Sequence, residues 1–256
     1  MKIGIAGVGV VGGTLANWLR FHTQHEFDLY DPALKLEGAL CGCDAVFICV
    51  PAPTLTNGDV DLSHVEHVLE KIKDFPMVFI RSTVPPGTTD KLEKKYGREM
   101  FFMPEFLTER TATQDFDDHL VISGSTDDEH VFEFLAEVFN GKKDFMFMSN
   151  VEAEICKYAH NVLAAVNVNT ANIFYRLCEV MGADYNKVRQ GFLSSGLLSP
   201  HHNSVPGHDG KFGYGGKCLP KDAAAIVKVL KDKDLNYESL GYTVLENAAH
   251  RMRDNN

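Results

Sequence analysis

The sequence predicts an α/β fold: an N-terminal Rossmann-like parallel sheet followed by an all-helical middle domain with a long connecting helix. Three observations carry this. Short apolar runs alternate with helical patterns, a glycine-rich turn follows the first run, and beyond Asn150 the alternation gives way to helical patterns alone. Domains are therefore expected at residues 1–149 and 150–256.

Lys2 to Ala6 reads as a buried strand, Gly7 to Gly13 as a glycine-rich turn and Thr14 to Arg20 as the continuation of the first helix. Phe27 to Tyr30 forms a second strand ending at Asp31, where Pro32 interrupts the ladder. Ala45 to Val50 is an unbroken apolar run bounded by Pro51 and Pro53, the signature of a central parallel strand. From Leu62 to Ile72, helical spacing puts Val65, Val68, Leu69 and Ile72 on one face. Met77 to Ile80 is another strand and Thr88 to Tyr96 the next helix. Strands follow at Met100 to Met103, Leu120 to Ser123 and Phe145 to Met148, with a helix from Glu129 to Phe139. Strands separated by helices imply a parallel sheet covered on both faces.

Val151 to Met181 is one long helical pattern, about 46 Å at a rise of ~1.5 Å per residue, with Gly182 as its stop. A helix of that length outruns a small neighbour, so it is expected to connect the domains and to form a homodimer interface; the plainer alternative is a bent helix buried within one subunit. Tyr185 to Phe192, Pro220 to Leu230 and Tyr237 to Met252 complete the helices, around a Ser-, Gly-, Pro- and His-rich stretch from Ser194 to Tyr214.

Composition bounds the function. Lys plus Arg total 25 against 35 Asp plus Glu, a formal charge of -10, which disfavours nucleic acid as the main partner. No apolar run approaches a membrane span, and a strand pattern directly after Met1 leaves no room for a signal peptide. The six cysteines, Cys41, Cys43, Cys49, Cys156, Cys178 and Cys218, lack structural-zinc spacing, so reduced thiols, no metal and a cytoplasmic location are expected.

Gly7-Val8-Gly9-Val10-Val11-Gly12 fits the G-x-G-x-x-G pattern between a strand and a helix. Gly7 permits the tight turn, Gly9 the approach of a pyrophosphate and Gly12 close helix-to-strand packing, while the helix N-terminus offers its amides to the anion. Asp31, 19 positions beyond Gly12, can accept hydrogen bonds from both adenosine ribose hydroxyls. A 2'-phosphate would repel that carboxylate, so NAD is the expected cofactor, although nearby Lys35 softens the distinction. Pro51, closing the central strand, joins the cofactor-side residues. In Arg81-Ser82-Thr83-Val84-Pro85-Pro86-Gly87-Thr88-Thr89 a proline-fixed loop follows a parallel strand; Thr83 can touch nicotinamide or substrate, and an ordinary strand-to-helix turn explains the same composition.

Later segments carry the chemistry. Met103-Pro104-Glu105-Phe106-Leu107-Thr108-Glu109 puts two carboxylates after a strand, and Lys157 and Asn161 lie four apart on one helix face. Gly213-Tyr214-Gly215-Gly216-Lys217-Cys218-Leu219-Pro220-Lys221-Asp222 sets a thiol at a helix entrance between two lysines, where a thiolate is favoured. Separately, these residues also suit surface charges, a snorkelling lysine and a buried thiol.

Together, GVGVVG, STVPPGTT, MPEFLTE, AEICKYAHN and GYGGKCLPKD closely resemble the UDP-glucose/GDP-mannose dehydrogenase family, in order and across essentially the whole chain. The resemblance implies oxidation of a nucleotide-sugar primary alcohol to a carboxylate with two NAD molecules in turn. It implies Cys218 as the thiol, Lys157 and Asn161 as the catalytic lysine and asparagine, Asp222 as acid/base, Glu105 and Glu109 as the family's glutamates and Thr83 on the cofactor side. It places Phe106, Leu107, Tyr214 and Gly215 beside the substrate, UDP-glucose first and GDP-mannose as the alternative. Two departures stand out. The family's third, nucleotide-gripping domain is expected to be absent here or supplied separately, and Leu193 to Pro200 lacks the arginine that reaches the partner's sugar site, leaving His201, His202 or Lys211 as substitutes. The competing readings are a beta-hydroxyacid dehydrogenase, which needs no thiol, and a non-catalytic NAD-binding assembly protein.

Overall fold

In the computed structural model, the described residues are all but Phe75, Thr126, Asp127, Asn236 and 254–256, with the backbone alone for Asp128. Strand β1 (Lys2–Ala6) is followed by α1 (Val10–His22), β2 (Glu26–Asp31), β3 (Leu36–Glu37), β4 (Ala45–Ile48), α2 (Ser63–Lys71), β5 (Met77–Ile80), α3 (Thr88–Tyr96) and β6 (Met100–Phe102). These strands form one sheet in the order β3-β2-β1-β4-β5-β6, parallel except for β3. The chain moves outward from β1 to β2, then returns past β1 to β4. That reversal opens a crevice at the carboxyl ends of β1 and β4, where ligands of open α/β sheets bind.

The register explains the core. Phe47 pairs with Phe79 and Phe79 with Phe101 across β4, β5 and β6, so the three rings line one face. They stack at centroid separations of 5.0 and 5.3 Å, with Ile3, Ile5 and Leu15 around them. The intervening residues, Val46, Ile48, Val78, Ile80 and Phe102, fill the other face against α2 and α3. Burial on both faces is why β4 reads as a continuous apolar run.

Four features differ from the sequence expectation. Helix α1 starts at Val10, so Val10 to Gly13 belong to its first turn and the glycine loop is only three residues deep. The two-residue β3 and the helix α4 (Ala112–Asp118) carry too little apolar pattern to be seen: α4 buries only Ala112 and Phe116. Strands β7 (Val121–Gly124) and β8 (Phe145–Met148), flanking α5 (Asp128–Val138), pair with each other as a separate two-stranded sheet instead of extending the first.

Helix α6 (Asn150–Met181) runs 32 residues without interruption. The compact units divide within it: one comprises Met1–Leu55 with Val60–Lys157, the other Thr56–Asp59 with Tyr158–Asn256. The second unit adds α7 (Tyr185–Leu193), α8 (Leu219–Asp232) and α9 (Glu238–Met252). Its apolar clusters are small, and the asparagines Asn169, Asn172, Asn203 and Asn247 are buried among them. Buried polar groups that find partners fix one arrangement of such a core, because any alternative leaves them unsatisfied. Among the described residues, no helix is long and apolar enough to cross a membrane and no cluster is suited to a metal.

Candidate active site

The turn between β1 and α1 is shaped by what it excludes. Gly7 has φ +85°, and a Cβ on Gly12 would lie 1.9 Å from the Gly7 carbonyl oxygen. A Cβ on Gly9 would meet nothing within 4 Å, so that side of the turn stands open. Gly9 caps α1 without a side-chain hydrogen bond, and the first turn holds no acidic residue. Unpartnered amides and the positive helix end therefore face an open space, the environment a pyrophosphate requires. Asp31 fastens the rim: its Oδ2 accepts from the Val8 amide at 2.8 Å, and its Oδ1 accepts from the amides of Ala33 and Leu34 at 3.1 and 3.3 Å. Val10 and Val11 stand on the helix beside it, while Lys35 and Pro51 are exposed, Lys35 with a left-handed backbone. These residues fit a dinucleotide.

The loop after β5 is held from α6. Glu154 is fully buried and accepts from the Gly87 amide at 2.5 Å, from the Thr89 amide at 2.8 Å and from the Thr89 hydroxyl at 2.7 Å. Burial pushes its carboxyl above the usual range, against those three donors. Thr83, half-buried, lies in the loop so anchored. Sequence reasoning missed Glu154. The available signal was its spacing: positions 154, 157 and 161 recur on one helix face, and a carboxylate on a buried face demands partners.

Lys157 and Glu105 form the most deeply buried ion pair among the described residues of the first unit. Their side chains are 4% and 8% exposed, with Nζ 3.0 Å from Oε1. The same ammonium donates to the Glu105 carbonyl at 2.5 Å, and the Leu107 amide donates to Oε2 at 2.7 Å. Burial alone would raise the Glu105 carboxyl; Lys157, the Leu107 amide and Arg81 outweigh it and hold the group below the ordinary range. The half-buried Phe106 ring lies 5.5 Å from the Lys157 ammonium. Glu109 does not join this cluster and is exposed on the following turn.

The second unit gathers the remaining candidates. Asn161 donates from Nδ2 to Asp222 Oδ2 at 2.6 Å, and Lys221 pairs with Asp222 Oδ1. Asp222 is fully buried in the first turn of α8, and Cys218, exposed, is the N-cap of that helix. A bond between α6 and α8 thus fixes the thiol-bearing helix entrance relative to Asn161. Four residues earlier Tyr214 is buried, and burial pushes its phenol up to about 12, while Gly215 is partly exposed. Chemically, the second unit offers a nucleophile at a positive helix end beside a hydrogen-bonded amide and carboxylate, and the first offers a lysine-carboxylate pair.

A parallel sheet whose glycine turn feeds a helix N-terminus, continued through one long helix into a helical unit, defines a two-part dinucleotide-binding α/β protein. Known proteins narrow the class. The NAD binding domain of the UDP-glucose/GDP-mannose dehydrogenase family matches residues 28–143, and the central domain of the same family matches residues 151–249. The chain belongs to this family and carries its NAD-binding domain. GDP-mannose 6-dehydrogenase of Pseudomonas aeruginosa is 30% identical over 97% of this chain and 68% of its own length. UDP-glucose 6-dehydrogenase of Rhizobium meliloti is 31% identical over 83% of this chain and 52% of its own. In fold, the solved UDP-glucose dehydrogenase of the archaeon Pyrobaculum islandicum is similar with a TM-score of 0.83 at 24% identity, covering 97% of this chain and 68% of that one. The chain spans about half the length of the curated UDP-glucose 6-dehydrogenases it matches.

Proposed function

We propose that this chain carries the oxidising portion of an NAD-dependent nucleotide-sugar 6-dehydrogenase, with UDP-glucose as substrate and GDP-mannose as the alternative. The observation that carries the reading is the 2.6 Å bond from Asn161 to Asp222, which joins sequence-distant candidates at the entrance of the Cys218 helix. Bound NAD supplies a hydride acceptor for each of the two oxidations.

In the first oxidation, Lys157 and Asn161 stabilise the developing alkoxide at the sugar's C6 oxygen, and a water held by Asp222 takes the alcohol proton. The Cys218 thiolate then adds to the aldehyde carbon, forming a C–S bond, and the former carbonyl oxygen takes up a proton. Loss of the second hydride together with that hydroxyl proton turns the adduct into a thioester. Water deprotonated beside Glu105 or Glu109 adds to the thioester carbonyl; the C–S bond breaks, and the carboxylate leaves with the thiolate regenerated. Glu105 is a weak base while Lys157 holds it. It gains basicity when that ammonium turns to the substrate oxygen, which couples the two roles.

The partner reading is a homodimer through α6, where Leu163, Phe174, Leu177 and Met181 are exposed on the second unit's stretch of the helix. A nucleotide-gripping domain of the kind the family carries completes the substrate site.

The test is a substrate panel followed by NADH stoichiometry. UDP-glucose is expected to yield two NADH per sugar, and Cys218→Ser one or none. No NADH from either nucleotide sugar, alone or with a supplied C-terminal domain, would overturn the reading. NADH from a small hydroxyacid that survives Cys218→Ser would replace it with a single-oxidation enzyme.

A further inference from the structure

We infer that Asn247 and Arg251 on α9, with Asn172 on α6, are positioning residues that set the thiol of Cys218 by gripping the backbone of the Gly213–Gly216 loop. The inference rests on the proposed role of Cys218 and assigns a function to a helix that carries none of the catalytic candidates.

The grip is made to backbone atoms. Asn247 Oδ1 accepts from the Tyr214 amide at 2.7 Å, while its Nδ2 donates to the Tyr214 carbonyl at 3.0 Å. The side-chain amide thus occupies both polar groups of one residue, as a neighbouring strand would. Arg251 Nε donates to the same carbonyl at 3.0 Å, and its Nη1 lies 2.7 Å from the carboxylate of Asp209, earlier in the same loop. From the other side, Asn172 Oδ1 accepts from the Gly213 amide at 3.0 Å and its Nδ2 donates to the Val168 carbonyl at 2.8 Å. Asn172 and Asn247 are 2% and 8% exposed, so neither can exchange these bonds for water.

Gly215 leaves room for the Arg251 guanidinium beside the loop, and any side chain there would have to displace it. A Cβ there would fall 1.4 Å from Arg251 Nη2. The glycine lets the arginine lie against the loop, and the arginine in turn closes off the volume into which the loop would relax. Only Gly216 and Lys217 separate Gly215 from the α8 N-cap, too few for the chain to lose its orientation before Cys218. The second oxidation requires the thiol to reach the aldehyde before the aldehyde escapes; the first makes no use of the thiol. Loosening the loop should therefore separate the two steps.

Intact protein carrying Asn247→Asp or Arg251→Gln provides the test, with Arg251→Lys as the conservative comparison. Two readouts are needed. One is NADH per UDP-glucose with a carbonyl reagent present to trap aldehyde. The other is the iodoacetamide labelling rate of the Cys218 peptide, read by mass spectrometry. The expected result is a fall from two NADH toward one with aldehyde trapped, and a labelling rate changed by about fivefold or more. Arg251→Lys should restore part of each. If stoichiometry stays at two and turnover falls only in step with the folded fraction, the residues are structural and the inference fails. If wild-type protein oxidises no nucleotide sugar, the functional reading fails by itself, and the labelling rate still decides: an unchanged rate in a folded variant overturns the grip.

Discussion

Lys157→Met tests the buried charge pair most directly. The substitution leaves a similar apolar stem beside Phe106 and removes the ammonium that contacts Glu105 at 3.0 Å and its carbonyl at 2.5 Å. Breaking a buried pair from one side costs about 3–5 kcal/mol. The surviving Leu107 amide and the Arg81 charge place this case at the lower end, about 3 kcal/mol at pH 8. The pH dependence gives the sharper signature. In the wild type, the folded Glu105 carboxyl lies below its unfolded value, so its contribution is present above the unfolded pKa and disappears as pH falls through the folded one. Without Lys157, burial is left as the dominant influence and raises the folded carboxyl. Its contribution is then present in acid and lost as pH rises from about 4.5, so the slope changes sign. Urea unfolding from about pH 3.5 to pH 8 covers both the wild-type loss in acid and the variant's loss toward neutral pH. Trp18, the single tryptophan, lies in the core of the same unit and reports on it. With an m-value of roughly 2–3 kcal/mol/M, the midpoint at pH 8 should drop by about 1 M. Adding Glu105→Gln should recover part of the loss. A cost below about 1 kcal/mol at pH 8, or a variant slope of the wild-type sign, would refute the argument.

Gly12→Ala puts a methyl 1.9 Å from the Gly7 carbonyl oxygen and should weaken NAD binding by about tenfold or more, measured by calorimetry. Glu154→Gln leaves one carbonyl oxygen to accept and sets an NH2 group against the amide donor of either Gly87 or Thr89, and thermal unfolding should show a loss of about 1–3 kcal/mol. Leu177→Asp places a charge in the exposed apolar stretch of α6; sedimentation should show a dimer for the wild type and a monomer for the variant, and an unchanged mass would remove α6 as the interface.

The parts of the fold legible in the sequence were those with strong local signals. Lys2–Ala6, Met77–Ile80 and Thr88–Tyr96 coincide with their expected bounds because apolar runs end at glycines, prolines or charges. Helix α4 was hidden because Ala-Thr-Gln-Asp-Phe-Asp-Asp has one large apolar residue and no period to detect. The pairing of β7 with β8 alone is a long-range choice that neither strand's own sequence records. In the candidate site, helical spacing picked out Lys157 and Asn161, the glycine- and lysine-flanked helix entrance picked out Cys218, and the family resemblance added Asp222. Spacing does not state that Lys157 closes on Glu105 across 52 positions, or that Asn161 closes on Asp222 across 61. Those contacts depend on the packed fold, as does the role of Glu154, whose partners lie in a loop 65 and 67 positions away.

The continuity of α6 makes it a ruler graduated in residues. Asn161 and Asn172 are both presented from it, one to Asp222 and the other to Gly213. Inserting a single residue between them would turn everything downstream by about 100° and advance it by ~1.5 Å, aiming one of the two asparagines away from its target. A loop of the same length would absorb such a change. Length variation among related chains should therefore be tolerated in the exposed stretch of residues 194–202 and be all but forbidden between these two asparagines, where even a neutral-looking insertion would shift the phase of the rod.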